Sequence, residues 1–482
     1  MARHEDMHDV EMDEREELPT SNLAVAQARL RRSWPLAAGA VAVLLGGLAV
    51  TQTVFDARER ARLSGDRALP GVVRELSASI HELWRSDAGA SSAVTGGVLL
   101  ADRFIGGRLD ADGSQAVEAL SAQTGATAWS LPVSSADPTT PADAARPPEC
   151  VSAQGVVVCL VLDEYAPLTG TIAPTSSAPQ RARVVVVDPR TGSLIAERAT
   201  PPSSTLAVEK DLVVVAWVGD DGHGVVTGTE PRTGEVRWTF TTPAPLEARA
   251  GERLGLDVAG VGVGVGIIVG SWSQKLWLLS PDGVLQRELP GNGGSTWFEL
   301  ARVGLPALRT AEGPIGARTT LLVDGRDGQT FDGEPVNLAV DDGSAPGLVF
   351  TDGAPLIAWD AATGHRRWSS GADTGRTVLL LDDTLYSATH DSVVALDAAT
   401  GAVLWTSPAQ LKSSLAVALT DGRVLVVVER VPASHLVAFD VADGRRLWEA
   451  ALPAHVDNLQ EVHGRAFGTR YTKSGLEMVA LG

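Results

Sequence analysis

Cysteine is almost missing from this chain of 482 residues, where Cys150 and Cys159 are the whole supply. Two sulfurs with no further ligands spaced around them exclude a cysteine-rich metal centre. Basic charge is short as well. Lys and Arg number 40 against 59 Asp and Glu, a formal net charge of −19. That balance excludes nucleic acid as a partner, because its phosphates need a basic face. No Gly-x-Ser-x-Gly elbow occurs, so a hydrolase triad has no support. Histidines 81, 223, 365, 390, 435, 455 and 463 lack paired-ligand spacing. His4 and His8 are four apart, but they would meet a metal together only on a helix. Long amphipathic stretches of period 3.6 are also lacking after residue 80, which points to an all-β chain.

One long uncharged run is present. Pro35–Phe55 spans 21 residues without a charge, about 31 Å as a helix at ~1.5 Å per residue, close to a hydrocarbon core of ~30 Å. The preceding acidic stretch and the absence of an Ala-x-Ala site just after the run favour a retained anchor over a cleaved signal peptide. The expected layout is a disordered acidic cytoplasmic tail at 1–33, a transmembrane helix at 34–55, a stalk at 56–80 and a strand-rich body at 81–482. Arginines flank both sides of the run, so their count does not orient it. A single anchor near the N-terminus and the cysteine pair favour an extracytoplasmic body.

The cysteines themselves predict a hairpin. With Gln154-Gly155 as a two-residue loop, 153 pairs with 156, 152 with 157, 151 with 158, and Cys150 with Cys159. That register places the two sulfurs opposite each other across adjacent strands, as a disulfide requires. Short Val/Leu/Ile runs bounded by turn residues continue through the chain, with Asp-Gly at 112–113, 221–222, 282–283, 342–343, 352–353 and 421–422. Gly260–Gly270 alternates Gly with Val or Ile, which places glycine on one sheet face for a close backbone approach. Two segments rich in Pro, Ser, Thr and Ala, 132–149 and 166–182, read as surface loops. Asp110-Ala-Asp112-Gly113 reads as a turn, its spacing being wrong for a calcium loop.

A short phrase then recurs. Ala358-Trp-Asp360 leads through Thr363-Gly364 to Trp368; Ala395-Leu-Asp397 leads through Thr400-Gly401 to Trp405; Ala438-Phe-Asp440 leads through Asp443-Gly444 to Trp448. Acid and tryptophan are eight residues apart each time. Weaker copies surround 119–129 with Trp129, 186–196 with Asp188 but Ala196 in the tryptophan's place, and 228–238 with Trp238; those near 280 and 324 are degenerate. Repeats of roughly 40 residues suit four-stranded propeller blades. In each blade the acid caps the turn, the glycine allows positive φ, and the tryptophan packs on the next blade.

These residues resemble the PQQ-like, quinoprotein-type repeat, Ala-x-Asp-x-x-x-Gly-x-x-x-Trp. The resemblance implies an eight-bladed ring, with seven as the fallback, closed by pairing the two chain ends. Here His81-Glu-Leu-Trp84 would be an orphan fourth strand and Leu476–Leu481 its third-strand partner. Catalytic relatives hold a quinone and calcium beneath a ring formed by adjacent cysteines. The present cysteines are nine apart, and no calcium set can be matched. The expectation is therefore a non-catalytic propeller without cofactor or metal, single-pass in the membrane, binding proteins on one face. A quinone-dependent dehydrogenase and a sensor signalling through the anchor are the alternatives.

Overall fold

In the computed structural model, the residues described are 62–482 without 137–144, 168–176, 248–254, 261–265, 272–274, 290–295, 313–315, 324–325, 353–354, 376, 412–417, 431–433 and 454. The tail and anchor expected at 1–55 and the first part of the expected stalk lie outside them. No helix among the described residues is long and apolar enough to cross a membrane.

Among the described residues, short strands joined by tight turns build nine sheets, antiparallel except for one added strand, numbered here as blades in chain order. They occupy 98–134, 149–200, 205–241, 256–289, 296–332, 334–369, 377–408, 419–451, and 458–481 with 82–85. Eight blades were expected. The reason for nine is that the degenerate copies near 280 and 324 each still form a complete sheet, and the closing blade adds one more. A lost tryptophan does not abolish a blade, because backbone pairing and alternating apolar residues suffice to build it.

Fourth strands such as Val403–Pro408 expose every second residue, whereas first strands such as Thr377–Leu381 are buried. The first strand of each blade is thus innermost and the fourth outermost. Every junction holds its own hydrophobic cluster, including that between the ninth and first blades, where Trp84, Phe104, Phe467 and Met478 meet. Closure follows the expected pairing: Glu82–Arg85 adds antiparallel to Gly475–Leu481, with Trp84 opposite Ala480. A five-residue helix, Ser91–Thr95, lies between this closing strand and blade 1.

Two departures break the regularity. In blade 2, Val156–Pro167 and Ser177–Val187 stay paired out to Pro167 and Ser177, beyond the neighbouring strands. Much of the segment read as a loop at 166–182 is therefore ladder, as is part of 132–149, where Thr127–Ser134 and Glu149–Ala153 are strands. The second departure is Asn337–Asp341, which leaves blade 6 and pairs in parallel with Thr377–Leu381, on the inner edge of blade 7.

Candidate functional site

The repeat's acids and glycines form one kind of turn. Asp360 Oδ1 accepts from the amides of Ala362 and Thr363 at 3.1 and 2.9 Å, and Asp188 Oδ1 from those of Arg190 and Thr191 at 2.9 Å each. Asp397 accepts from the Thr400 amide at 2.8 Å, and Asp440 from Ala442 at 2.9 Å. Backbone donation from Thr363 and Thr191 holds the Asp360 and Asp188 carboxyls below the ordinary range.

The tryptophans dock forward onto these turns. The Trp368 indole N–H donates to Ala398 O of blade 7 at 2.9 Å, and Trp405 to Val441 O of blade 8 at 3.2 Å. Trp129 reaches Pro189 O at 3.1 Å, and Trp84 reaches Ala122 O at 3.3 Å. Each ring lies flat over the next turn's glycine: a Cβ added at Gly401 would sit 2.5 Å from Trp368, and one at Gly444 2.4 Å from Trp405. Trp238 covers Gly283 in the same way, but its N–H, like that of Trp277, finds no acceptor among the described residues. Gly364 receives no indole, and Trp448 packs against a cluster that includes Ile80.

Sequence reading missed the stand-ins. Arg198, two residues past Ala196 and on the same strand face, lies over Gly234 and donates to Pro231 O at 3.2 Å. Gln329 takes the equivalent place against Gly364, donating to Ala362 O at 3.0 Å. Arg287 forks onto both Asp327 oxygens at 2.9 and 2.6 Å. The period of two along a strand was the signal that could have found Arg198.

A further knot ties blades 5, 6 and 7. Arg302 is buried and donates its Nε to Asp341 Oδ2 at 2.9 Å, while its other nitrogens reach Asp341 Oδ1, Ala345 O and Leu348 O. Burial pushes the Asp341 carboxyl up, but the Arg302 bonds and charge outweigh it and hold it low. Asp342 accepts from the Asp382 amide at 2.7 Å, which fastens the inserted strand to blade 7.

Cys150 and Cys159 are joined as a disulfide in the expected register, with Cα atoms 4.1 Å apart. The loop residues Gln154 and Gly155 have φ of 47° and 72°, as this tight hairpin turn demands. The sulfurs are buried between blades 1 and 2, against Ile105, Val117 and Val157. A sulfur pair so placed cannot cover a planar group near the ring axis. Among the described residues, no three His, Cys, Asp or Glu side chains gather as a metal ion would need. The disulfide is thus a cross-strand staple and not a ring between adjacent cysteines. Gly260 meets the Val208 carbonyl of blade 3, the close backbone approach expected of that run.

Comparison with known proteins gives the class. Residues 352–465 match the family model described as Outer membrane protein assembly factor BamB. The match covers about a quarter of the chain, and the described residues around it fold as propeller blades as well. No curated protein matches it. Among solved structures it is similar to BamB from Moraxella catarrhalis, at 14% identity and TM-score 0.36, covering 85% of this chain and 99% of that one. A europium-containing methanol dehydrogenase is similar at 11% identity and TM-score 0.42, covering 85% and 95%. The quinohemoprotein alcohol dehydrogenase from Comamonas testosteroni is similar at 14% and 0.39, covering 86% and 78%. At such scores no residue of these proteins is carried over to this chain.

Proposed function

We propose that this chain is a membrane-anchored, extracytoplasmic scaffold whose propeller binds protein partners on the loops of one face and performs no chemistry. The observation that carries the reading is where the repeat's polar groups are spent. Its acids close turns, its indoles or their Arg and Gln stand-ins lock the next blade, and its sulfurs are sealed between blades. The match of 352–465 to an assembly-factor family supports the same reading. The anchor at 34–55 rests on the uncharged run, and the extracytoplasmic side on the disulfide.

Three experiments test it. The purified full chain is incubated with pyrroloquinoline quinone and calcium; no dye reduction and no shift in melting temperature are expected, and clear activity would replace the scaffold with a redox enzyme. Protease added to intact spheroplasts is expected to reach the propeller. A shielded propeller would reverse the location. A pull-down with residues 1–33 that recovers a specific partner would favour the sensor instead.

A further inference from the structure

Residues 65–80 read as the end of a charged stalk, yet they are laid against the ring. Val72, Val73, Leu76 and Ile80 are all buried. Val72 bridges in parallel with Thr420, in the innermost strand of blade 8, and the Val73 amide donates to Thr420 O at 2.8 Å. The Arg74 amide reaches Gly464 O of blade 9 at 3.0 Å. The Leu76 amide reaches Asp421 Oδ2, also at 3.0 Å. Asp421 is fully buried and also accepts from the Arg423 and Val424 amides, while Arg423 pairs with Glu75 at 2.9 Å. Gly71, at φ +88°, lies so close to Ala339 that an added Cβ would be 1.8 Å from its carbonyl oxygen. One segment therefore holds the inserted strand 337–341, the inner hairpin of blade 8 and that of blade 9.

Register explains why it is needed. In four blades the alanine that opens the phrase stands opposite its tryptophan: Ala119 faces Trp129, Ala358 faces Trp368, Ala395 faces Trp405 and Ala438 faces Trp448, while Gly228 takes that place opposite Trp238. In blade 9, Ala480 faces Trp84 in the same way. Gly482 exchanges backbone bonds with His81, its amide donating to His81 O at 3.1 Å, just as the Asp397 amide donates to Ala402 O at 2.9 Å. Gly482 thus stands where the other blades have the acid, and His81 stands five positions beyond it. Ser77–Ile80 comes in at that point, turned by an Ile80 amide bond to Ser77 O at 3.1 Å. Ile80 then joins the cluster against which Trp448 is packed.

We infer that residues 65–81 are a clamp built into the ring, tying the inner strands of blades 7, 8 and 9. Closure then depends on two devices, the strand Glu82–Arg85 at the rim and this clamp on the axial side. This inference does not rest on the proposed scaffold role.

Backbone amide exchange on the full chain tests it, and the first measurement needs no variant. The amides of Val73, Arg74 and Leu76 are expected to exchange as slowly as those of Val424–Glu429. Exchange at the rate of an unstructured loop would overturn the clamp. Gly71→Val, and more mildly Asp421→Asn, should speed exchange at least tenfold at 73, 74 and 76. The effect should spread to Leu425, His81 and Gly482 while leaving Leu212–Val218 in blade 3 unchanged. Release of the segment with no change in blades 8 and 9 would show a passenger rather than a clamp.

Discussion

Gly401 has φ +71° and lies beneath Trp368, where an added Cβ would come within 2.5 Å of the ring. Gly401→Ala therefore meets backbone strain and overlap together, and should cost about 2–4 kcal/mol in urea unfolding. Gly113 has φ +84° with nothing within 4 Å, so Gly113→Ala carries strain alone and should cost about 1 kcal/mol. Equal losses would mean that the indole contact contributes nothing. The turn carboxylates titrate in a readable direction. Asp188 and Asp360 have folded values held below the ordinary one. Their stabilisation is complete above the unfolded value near ~3.9 and is lost as pH falls through the folded value. Asp360→Asn, which keeps the acceptor oxygen, should flatten the acid limb of a melting-temperature profile below about pH 4.

At the scale of the element, the hairpin 150–159 was legible rung for rung. A two-residue loop with φ positive at both positions fixes the register, and the register fixes the sulfurs. Replacing both cysteines with serine should cost about 2–3 kcal/mol, seen as a lower urea midpoint that reductant no longer changes. Arg198 and Gln329 were not legible as docking groups. The sequence pattern names an indole, whereas the physical requirement is a flat donor above a glycine, which guanidinium and amide also meet. Asn337–Asp341 was hidden for another reason: its partner strand is about 40 residues away and parallel, and no local turn chemistry announces such a pairing.

For the ring as a whole, the blade type and the manner of closure could be read from eight-residue spacings and from Trp84 facing Ala480. The number of blades could not be read with the same security. Leu276–Leu279 and Gly316–Val323 pair into complete sheets through their backbones without the phrase that marks their neighbours, so motif strength undercounts them. The clamp escaped too, because Val72, Val73, Leu76 and Ile80 are scattered among charged and small residues and carry no strand period. Closure by both chain ends predicts strong cooperativity. Removing residues 475–482 takes away the partner of Glu82–Arg85 and strips Leu476, Met478 and Ala480 from the cluster around Trp84. The expected result is loss of a sharp thermal transition, followed by near-ultraviolet circular dichroism, rather than a modest shift in its midpoint.

Nine similar wedges around an axis would offer a visitor nine nearly equivalent bearings. The projecting ribbon of blade 2 and the parallel strand Asn337–Asp341 remove that degeneracy. A molecule settling on this surface meets a dial with marked hours, so its orientation is selected by landmarks that the repeating phrase does not encode.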